Sequence, residues 1–329
     1  MVEEARQRRL ETGLNSVGRG GAPAPSRDRP HYNTAVRPSP PRFGSASRDA
    51  QLATVNPSPW GGSMSTTTPV SARFAGQSVI EQLFAVHSTR PPRGPVARFF
   101  GVRPLGDDAT PWYIGARGEL AVGRILDQLP QGWTVLHSLP VGTKESDIDH
   151  LVIGPAGVFV INTKHHASKT IWVAGSTVMV GGFKHPYIRN SEHEAKAVGK
   201  VLASVGLDHS VIPILAFVDP TQITVKEKPA SVAVLHARGL LKFFARRPQT
   251  LTADEVTQTV AVLGDPQRWR SSAEAPAGLL DDFHALDREI RTARTIRVAW
   301  AGALLASLGG TSIVLAPQLM SSLFSLLIH

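Results

Sequence analysis

The chain has 329 residues, of which 35 are lysine or arginine and 26 are aspartate or glutamate, giving a formal net charge of +9. A basic surface suits nucleic acid or anionic lipid as a partner, although net charge says nothing about fold. There are no cysteines, so disulfides, cysteine-ligated zinc and thiol catalysis are excluded.

The N-terminal third is rich in arginine, proline, glycine and serine, and its composition differs from that of the rest of the chain. The first lysine is Lys144, and closely spaced prolines between Pro23 and Pro59 interrupt any periodic pattern. Such a segment buries too little apolar surface to offset the entropy lost on folding. We therefore predict that residues 1–110 are disordered, apart from a short helix at 79–86.

Residues 111–265 have the alternating helix and strand patterns of an α/β domain. The spacing of apolar residues predicts a helix at 115–129, with Glu119 leaning toward its buried side, where a carboxylate needs a partner. Short β-rich runs bounded by turn residues predict further strands, at 133–139, 147–153, 158–164, 170–174, 177–180, 211–218 and 231–235. Further helices are predicted at 191–205, 238–246, 253–263 and 278–297. Ser191 and Glu194 have the spacing of a capping box at the start of the first of these.

The two runs on either side of the turn Gly154–Gly157 predict a β-hairpin with a defined register. If the two glycines pair, Asp149 lies opposite Asn162. In the same register Asp147 lies opposite Lys164. Cross-strand partners share a sheet face, so these four side chains meet at the open end of the hairpin. The same alternation places Leu151, Ile153, Val158 and Val160 on their face, and Ile148, Val152, Phe159 and Ile161 on the other. A slip of one residue would separate the two polar pairs.

This polar group has the side chains that a magnesium site requires. Oxygen ligands suit Mg²⁺, and Asp149 with the side-chain oxygen of Asn162 could bind it. Lys164 could orient the attacking water or stabilise charge on a phosphate, and Glu119 could add a ligand or order a metal-bound water. The alternative is structural: Asp147 and Lys164 form only an ion pair at the end of the sheet, worth about 0–1 kcal/mol if exposed.

Other basic and histidine side chains near this hairpin are weaker candidates. Lys184 and Arg189 could contact phosphate, or they could belong to a solvated loop. His150 projects to the apolar face, and His165 and His166 are predicted at a solvated strand end, so none is favoured as a metal ligand.

The C-terminus changes from a basic segment at 266–297 to 31 uncharged residues, Val298–Ile328. The basic segment is predicted to be a helical linker, and residues 298–328 a membrane span. The alternative is a buried or peripheral hairpin broken at Pro317. Four arginines precede the uncharged segment, and they predict that its N-terminal side is cytoplasmic and contacts anionic lipid. They are Arg288, Arg291, Arg294 and Arg297.

An ordered series of motifs between Tyr113 and Ala203 resembles the nuclease-related domain (NERD) family. The motifs are Gly115-Ala-Arg-Gly-Glu119, Asp147-Ile-Asp-His150, Gly154-Pro-Ala-Gly-Val-Phe-Val-Ile-Asn-Thr-Lys164 and Ile171-Trp172. That family is similar to the PD-(D/E)xK restriction-endonuclease-like superfamily. The resemblance implies a mixed sheet flanked by helices.

The resemblance also implies roles for individual residues. Glu119 corresponds to the helix acid, Asp149 to the acid of the hairpin, and Asn162 and Lys164 to the ends of the family's E-x-K element. The sequence departs from the pattern because Asn162 stands where glutamate is expected. The amide can bind metal but adds no negative charge, which implies weaker metal binding or loss of cleavage. We hypothesise that Asp147, as a third metal ligand, restores the missing charge.

These observations favour a membrane-tethered nuclease-like protein that hydrolyses phosphodiester bonds in DNA or RNA with Mg²⁺ or Mn²⁺. Its nuclease domain would face the cytoplasm. The alternative is a catalytically inactive nucleic-acid-binding or scaffold module with the same fold, which Asn162 favours. A third interpretation is a membrane-associated protein whose positive charge serves lipid alone. The sequence leaves the oligomeric state open.

Overall fold

The computed structural model describes residues 70–89, 91–141, 146–270 and 275–327. All of these belong to one compact unit of the chain. The disorder predicted for residues 1–69 lies outside the described residues.

Nine strands lie in the described residues and are arranged in two sheets. They are β1 (Thr134–Val141), β2 (Ser146–Gly154), β3 (Gly157–His165), β4 (Thr170–Ala174), β5 (Thr177–Val180), β6 (Phe183–His185), β7 (Val211–Val218), β8 (Gln222–Glu227) and β9 (Ala233–His236). The larger sheet has the order β1-β2-β3-β7-β9, in which β1, β2 and β3 are antiparallel and β3, β7 and β9 are parallel. The smaller sheet has the order β6-β5-β4-β8. The mixed α/β class predicted from the sequence is therefore confirmed.

The sequence did not predict β6 or β8. Strand β6 has only three residues, and β8 consists mostly of polar residues with exposed or half-exposed side chains. Neither has the apolar run from which a strand is recognised.

Seven α-helices lie in the described residues. They are α1 (Gln77–His87), α2 (Pro95–Phe99), α3 (Thr110–Leu126), α4 (Tyr187–Ala203), α5 (Leu240–Ala245), α6 (Ala253–Leu263) and α7 (Leu279–Leu327). Helix α4 begins four residues before the predicted start, after Pro186, where a missing amide hydrogen costs no helical hydrogen bond. The capping box predicted at Ser191 and Glu194 is therefore wrong, because both residues lie inside the helix and are buried.

Helices cover both faces of the larger sheet, as expected from the apolar residues on both faces of the hairpin. Helices α4 and α6 pack on the face that carries Leu151 and Val160. Helices α3 and α5 pack on the face that carries Val152 and Phe159. Ile148 departs from the predicted alternation, because it packs in the same cluster as Leu151. The strand is thus irregular between these two positions.

Part of the segment predicted to be disordered is folded. Within residues 70–110, helix α1 buries Val79, Ile80 and Leu83 against α3 and the first turns of α7. The short helix predicted at 79–86 lies within α1, but the disorder predicted for the rest of 70–89 and for 91–110 is wrong, because the apolar partners of α1 lie elsewhere in the chain. Local composition cannot reveal such partners.

The start of α7 is part of the folded domain. Phe283 is buried beside Tyr113, whose hydroxyl donates a hydrogen bond to Asp287 at 2.5 Å. Arg291 forms an ion pair with Asp287, and Arg297 donates a hydrogen bond to the carbonyl of Gly101 at 2.7 Å. Two of the four arginines predicted to contact lipid therefore make contacts within the chain. Lipid binding by the four stays a prediction.

The prediction of a membrane span at 298–328 is wrong, and with it the predicted membrane location with a cytoplasmic domain. Among the described residues, which end at 327, no helix combines the length and the apolar character needed to cross a bilayer. Small and hydroxyl-bearing residues such as Ser307, Gly309 and Thr311 dilute the hydropathy of this segment. The predicted break at Pro317 is also absent, because α7 continues to Leu327.

Candidate active site

A cavity of about 40 Å³ lies where β1, β2 and β3 meet α1, α3 and α4. Five side chains predicted as site residues line it: Glu119, Asp147, Asp149, Asn162 and Lys164. A water molecule needs roughly 10–15 Å³ of such volume. The cavity therefore has room for a small cation together with a water molecule.

The open end of the hairpin forms this cavity because β2 and β3 separate there. Their ladder has the predicted register from Gly154 and Gly157 to His150 and Ile161. Beyond that point the Asp149 carboxylate lies between the strands, and its Oδ2 accepts a hydrogen bond from the backbone N–H of Thr163 at 2.6 Å. The backbone donor fixes the orientation of the acid.

Strand β1, which neighbours β2, is also irregular beside Asp149. Ser138 of β1 lies between His137 and Leu139, whose partners in β2 are His150 and Ile148. Its φ of 49° is left-handed, which is rare for a residue other than glycine. Asp149 and Ser138 thus form one local distortion of the sheet, and both residues line the cavity.

Asp147 does not pair with Lys164 as the hairpin register predicted. Its cross-strand partner is Pro140 of β1. Its Oδ1 lies 3.3 Å from Nη2 of Arg270, and the side chain is only 11% exposed. Because its charge is balanced by a guanidinium, Asp147 is a weak candidate to replace the glutamate missing at position 162.

A carboxylate that the sequence did not predict lies directly beside Asn162. The Asn162 Nδ2 donates a hydrogen bond to Oε1 of Glu194 at 2.5 Å, and the two residues are 3% and 7% exposed. Glu194 projects from α4, on the same side as the buried Ala195 and Val198. Glu194 lies four residues before Val198, and residues with this spacing share a helix face. The sequence could therefore have indicated that Glu194 lies on the buried face.

The side-chain oxygen of Asn162 is available to a ligand. Oδ1 is buried in the cavity wall and has no hydrogen-bond partner within the described part of the chain. A buried acceptor without a partner costs roughly 1–3 kcal/mol. A bound cation or water molecule would remove that cost.

Lys164 lies in the same cavity as the acids, with its amine 5.2 Å from the centroid of the Tyr187 ring. The Tyr187 hydroxyl is 3.0 Å from Nε2 of His166. Burial, together with the nearby positive charges of His185 and Lys164, lowers the pKa of His166 to about 3. The prediction that His165 and His166 are solvated is wrong, because both imidazoles are largely buried.

Arg73 is a second basic residue beside the cavity, in addition to Lys164. The sequence did not predict it as a site residue. Its buried guanidinium donates hydrogen bonds of 2.7 Å to the Ser138 carbonyl and to the Ser78 hydroxyl. Burial lowers its pKa, while Glu81 and Asp147 oppose that shift. Arg73 thus joins the segment before α1 to the distorted strand at the site.

The predicted nucleic-acid contacts lie outside the cavity. Lys184 is on β6 and Arg189 is on α4, and both side chains are exposed. Neither lines the cavity. The structure leaves their role untested.

The donor set suits a hard cation. The side chains of Asp149, Asn162, Glu119 and Glu194 offer only oxygen and amide groups, and Mg²⁺ is often held by one or two carboxylates with several waters. Across the described ranges, however, no three His, Cys, Asp or Glu residues lie close enough together to form a metal cluster. The residues therefore fit a site with few protein ligands better than a cage of three acids.

Comparison with known proteins finds similarity for part of the chain. An uncharacterized protein of Bacillus anthracis is 34% identical over 94 residues, which is 25% of this chain and 44% of the relative. The chain thus spans less than half the length of that relative. No solved structure matches the chain. The family model of the nuclease-related domain matches residues 114–218, which include Glu119, Asp149, Asn162, Lys164 and Glu194. Residues 114–218 therefore match the nuclease-related domain (NERD) family, for which the restriction-endonuclease-like superfamily is a coarser class.

Proposed function

We propose that this chain is a metal-dependent nuclease that hydrolyses phosphodiester bonds in DNA or RNA. One observation carries the proposal: a single cavity brings Glu119, Asp149 and Lys164 together with the pair formed by Asn162 and Glu194. Acids that bind a cation, beside an amine that binds a phosphate, are the groups that such hydrolysis needs.

The residues that would hold the metal follow from the contacts. Asp149 is oriented by the N–H of Thr163, and Asn162 has a buried oxygen without a partner among the residues described. Glu194 adds the negative charge that Asn162 lacks. When bound, a divalent ion would polarise the phosphate and lower the pKa of a coordinated water. Either Mg²⁺ or Mn²⁺ has the preference for oxygen ligands that this set requires.

The remaining side chains act on the phosphate and on the water. The Lys164 amine stabilises negative charge that develops on the phosphate oxygens. Its position against the Tyr187 ring limits its freedom, through a contact worth about 0.5–1 kcal/mol when exposed. Glu119, fixed on α3 and 6% exposed, orients the attacking water or accepts its proton.

A second candidate function is nucleic-acid binding without cleavage. Two observations favour it: Asn162 replaces the expected glutamate, and the described residues contain no cluster of three metal-binding side chains. In this alternative the protein keeps the fold and binds nucleic acid through its basic residues, but the cavity does not catalyse hydrolysis.

A cleavage assay separates the two functions. The full-length chain is incubated with supercoiled plasmid or labelled RNA in Mg²⁺, Mn²⁺ or EDTA. We expect cleavage with metal only, and its loss in Lys164→Ala. Lys169→Ala is the matched control, because this lysine is exposed and does not line the cavity.

Binding without cleavage in every metal would refute the nuclease and support the inactive module. Affinity that did not fall with added salt would count against both functions, because phosphate contacts release counterions.

A further inference from the structure

A second and larger cavity, of about 470 Å³, lies on the outer side of α4. Most of its polar lining is basic, and its principal residues are His193, Lys196, Lys200, Arg268, Trp269 and Arg270. No acidic side chain is among its lining residues in the described part of the chain. A cavity of this size and charge suits an anionic ligand.

Helix α4 supplies three of the five basic side chains that line this cavity. His193, Lys196 and Lys200 have i, i+3, i+7 spacing and therefore share one face of the helix. All three are exposed, whereas Glu194 and Val198 on the other side of the helix are buried. Neither lysine forms an ion pair with any residue that the structure describes. Their charges are therefore available to a ligand.

The segment 268–270 supplies the other two basic side chains, and its own contacts hold it in place. The buried Trp269 donates a hydrogen bond from Nε1 to the carbonyl of Leu263 at 2.8 Å. The backbone N–H of Arg270 donates to the Pro140 carbonyl at 3.3 Å. The Arg270 Nε is buried and lacks an acceptor anywhere in the described ranges. An oxyanion in this cavity would supply one.

The two cavities meet at one ion pair. Arg270 lines the basic cavity, Asp147 lines the active-site cavity, and their side chains are 3.3 Å apart. Helix α4 also borders both, with Glu194 in one cavity and Lys196 in the other. A polyanion bound in the basic cavity would therefore continue toward the acids and Lys164.

We propose that the basic cavity binds the sugar–phosphate backbone of a nucleic-acid strand next to the phosphate that is cleaved. This inference rests on the proposed nuclease function, and it names the path of the substrate. Lys196 and Lys200 contact backbone phosphates, and Arg270 positions the strand at the boundary with the active site. Phosphate contacts set affinity and register without reading sequence.

Binding measured without cleavage tests the proposal. Fluorescence anisotropy of the full-length chain with a labelled 20-nucleotide single strand, and with its duplex, is recorded in EDTA over a range of salt concentrations. The test variant is Lys196→Ala/Lys200→Ala. Two controls remove the same charge elsewhere: Lys226→Ala/Lys228→Ala, at the end of β8, and Lys184→Ala/Arg189→Ala, the pair predicted from the sequence.

We expect the test variant to bind about 10-fold more weakly at low salt. Loss of two phosphate contacts should also reduce the slope of log affinity against log salt by roughly 1.4–1.8. The variant with both β8 lysines replaced should bind like wild type. Circular dichroism should show that all variants are folded, because the substituted side chains are exposed.

The proposal is overturned if the test variant has the affinity and salt slope of wild type. It is also overturned if the test variant and the β8 control lose the same amount of affinity. If only Lys184→Ala/Arg189→Ala loses affinity, the strand binds instead to the surface that carries those two residues, and the proposal is wrong. If wild type binds as expected but never cleaves in Mg²⁺ or Mn²⁺, the nuclease function fails while the binding path stands. If wild type cleaves and the test variant binds normally, only the path fails.

Discussion

Exchanging the side chains of Asn162 and Glu194 tests the central feature of the site. The two residues are buried and joined by a hydrogen bond of 2.5 Å, so one amide and one negative charge share a small volume. Three variants are compared with wild type: Asn162→Glu, Glu194→Gln, and the double variant. The double variant keeps the same pair of chemical groups with their positions reversed.

The expected magnitudes follow from the contact. Asn162→Glu alone places two carboxylates side by side, and two like charges about 4 Å apart repel by about 4 kcal/mol at an effective dielectric constant of about 20. Glu194→Gln alone removes the charge but leaves an amide that can still hydrogen-bond, at a cost of about 1 kcal/mol. The double variant should be within about 1 kcal/mol of wild type. The interaction free energy between the two sites is then about 4 kcal/mol and favourable.

Two measurements check this. Urea unfolding without divalent ions at pH 7.5 gives the free energy of unfolding of all four proteins. Plasmid cleavage in Mg²⁺ gives their activity, which in Glu194→Gln should fall roughly 100-fold, as when a charge-stabilising group is lost. Asp147→Ala is compared in the same assay, and should lose less activity than Glu194→Gln if Glu194 supplies the missing charge.

The changes in free energy of unfolding caused by the two single substitutions are added and compared with the change in the double variant. If they agree within about 0.5 kcal/mol, the two side chains are not coupled and the reasoning is refuted. If the pair is coupled but Glu194→Gln cleaves like wild type, Glu194 has only a structural role. If Asp147→Ala is as inactive as Glu194→Gln, compensation by Asp147 regains support. Full activity in Asp147→Ala would exclude it.

Three further predictions concern packing and protonation, and urea unfolding checks each of them. A Cβ at Gly118 would lie 2.8 Å from the Cβ of His165, so Gly118→Ala should destabilise the fold by about 1–3 kcal/mol and reduce cleavage. Gly199→Ala, in open space on α4, should instead stabilise it by about 0.5–1 kcal/mol; the opposite order would contradict this account of α3 packing. His166 has a pKa of about 3 when folded against 6.5 when unfolded, so its contribution is complete above pH 6.5 and decreases as the pH falls toward 3. Between pH 7.5 and 5 the loss is about 2 kcal/mol, and His166→Gln should lose correspondingly less stability over that range. Thr252→Ala removes the capping box of α6 and should cost about 1 kcal/mol, whereas no change would show that the cap is dispensable.

The hairpin at the site could be predicted because its information is local. A Gly-Pro-Ala-Gly turn and alternating apolar residues select the register in which Gly154 pairs with Gly157, and the ladder has that register. The prediction failed beyond His150 because the carboxylate of Asp149 binds a backbone N–H and separates the strands. Competition between a side chain and the sheet ladder for one backbone donor is not visible in an apolar pattern.

The acid beside Asn162 could not be identified in the same way. Glu194 is 32 residues away in the chain, and Arg270 is 123 residues from Asp147. Glu194 looked like a capping residue because the helix was predicted to begin at Ser191. A start at Tyr187 turns the same side chain toward the core.

The sequence by itself determined the type of most elements between residues 114 and 218, the hairpin, and five side chains that line the cavity. Apolar periodicity and turn chemistry act over a few neighbouring residues, so they can be read along the chain. Only the tertiary structure decided that Glu194 adjoins Asn162, that Arg270 neutralises Asp147, and that α1 packs beside the site. Charge pairing and burial depend on distances between segments far apart in the chain, and those distances are set when the helices pack on the sheet.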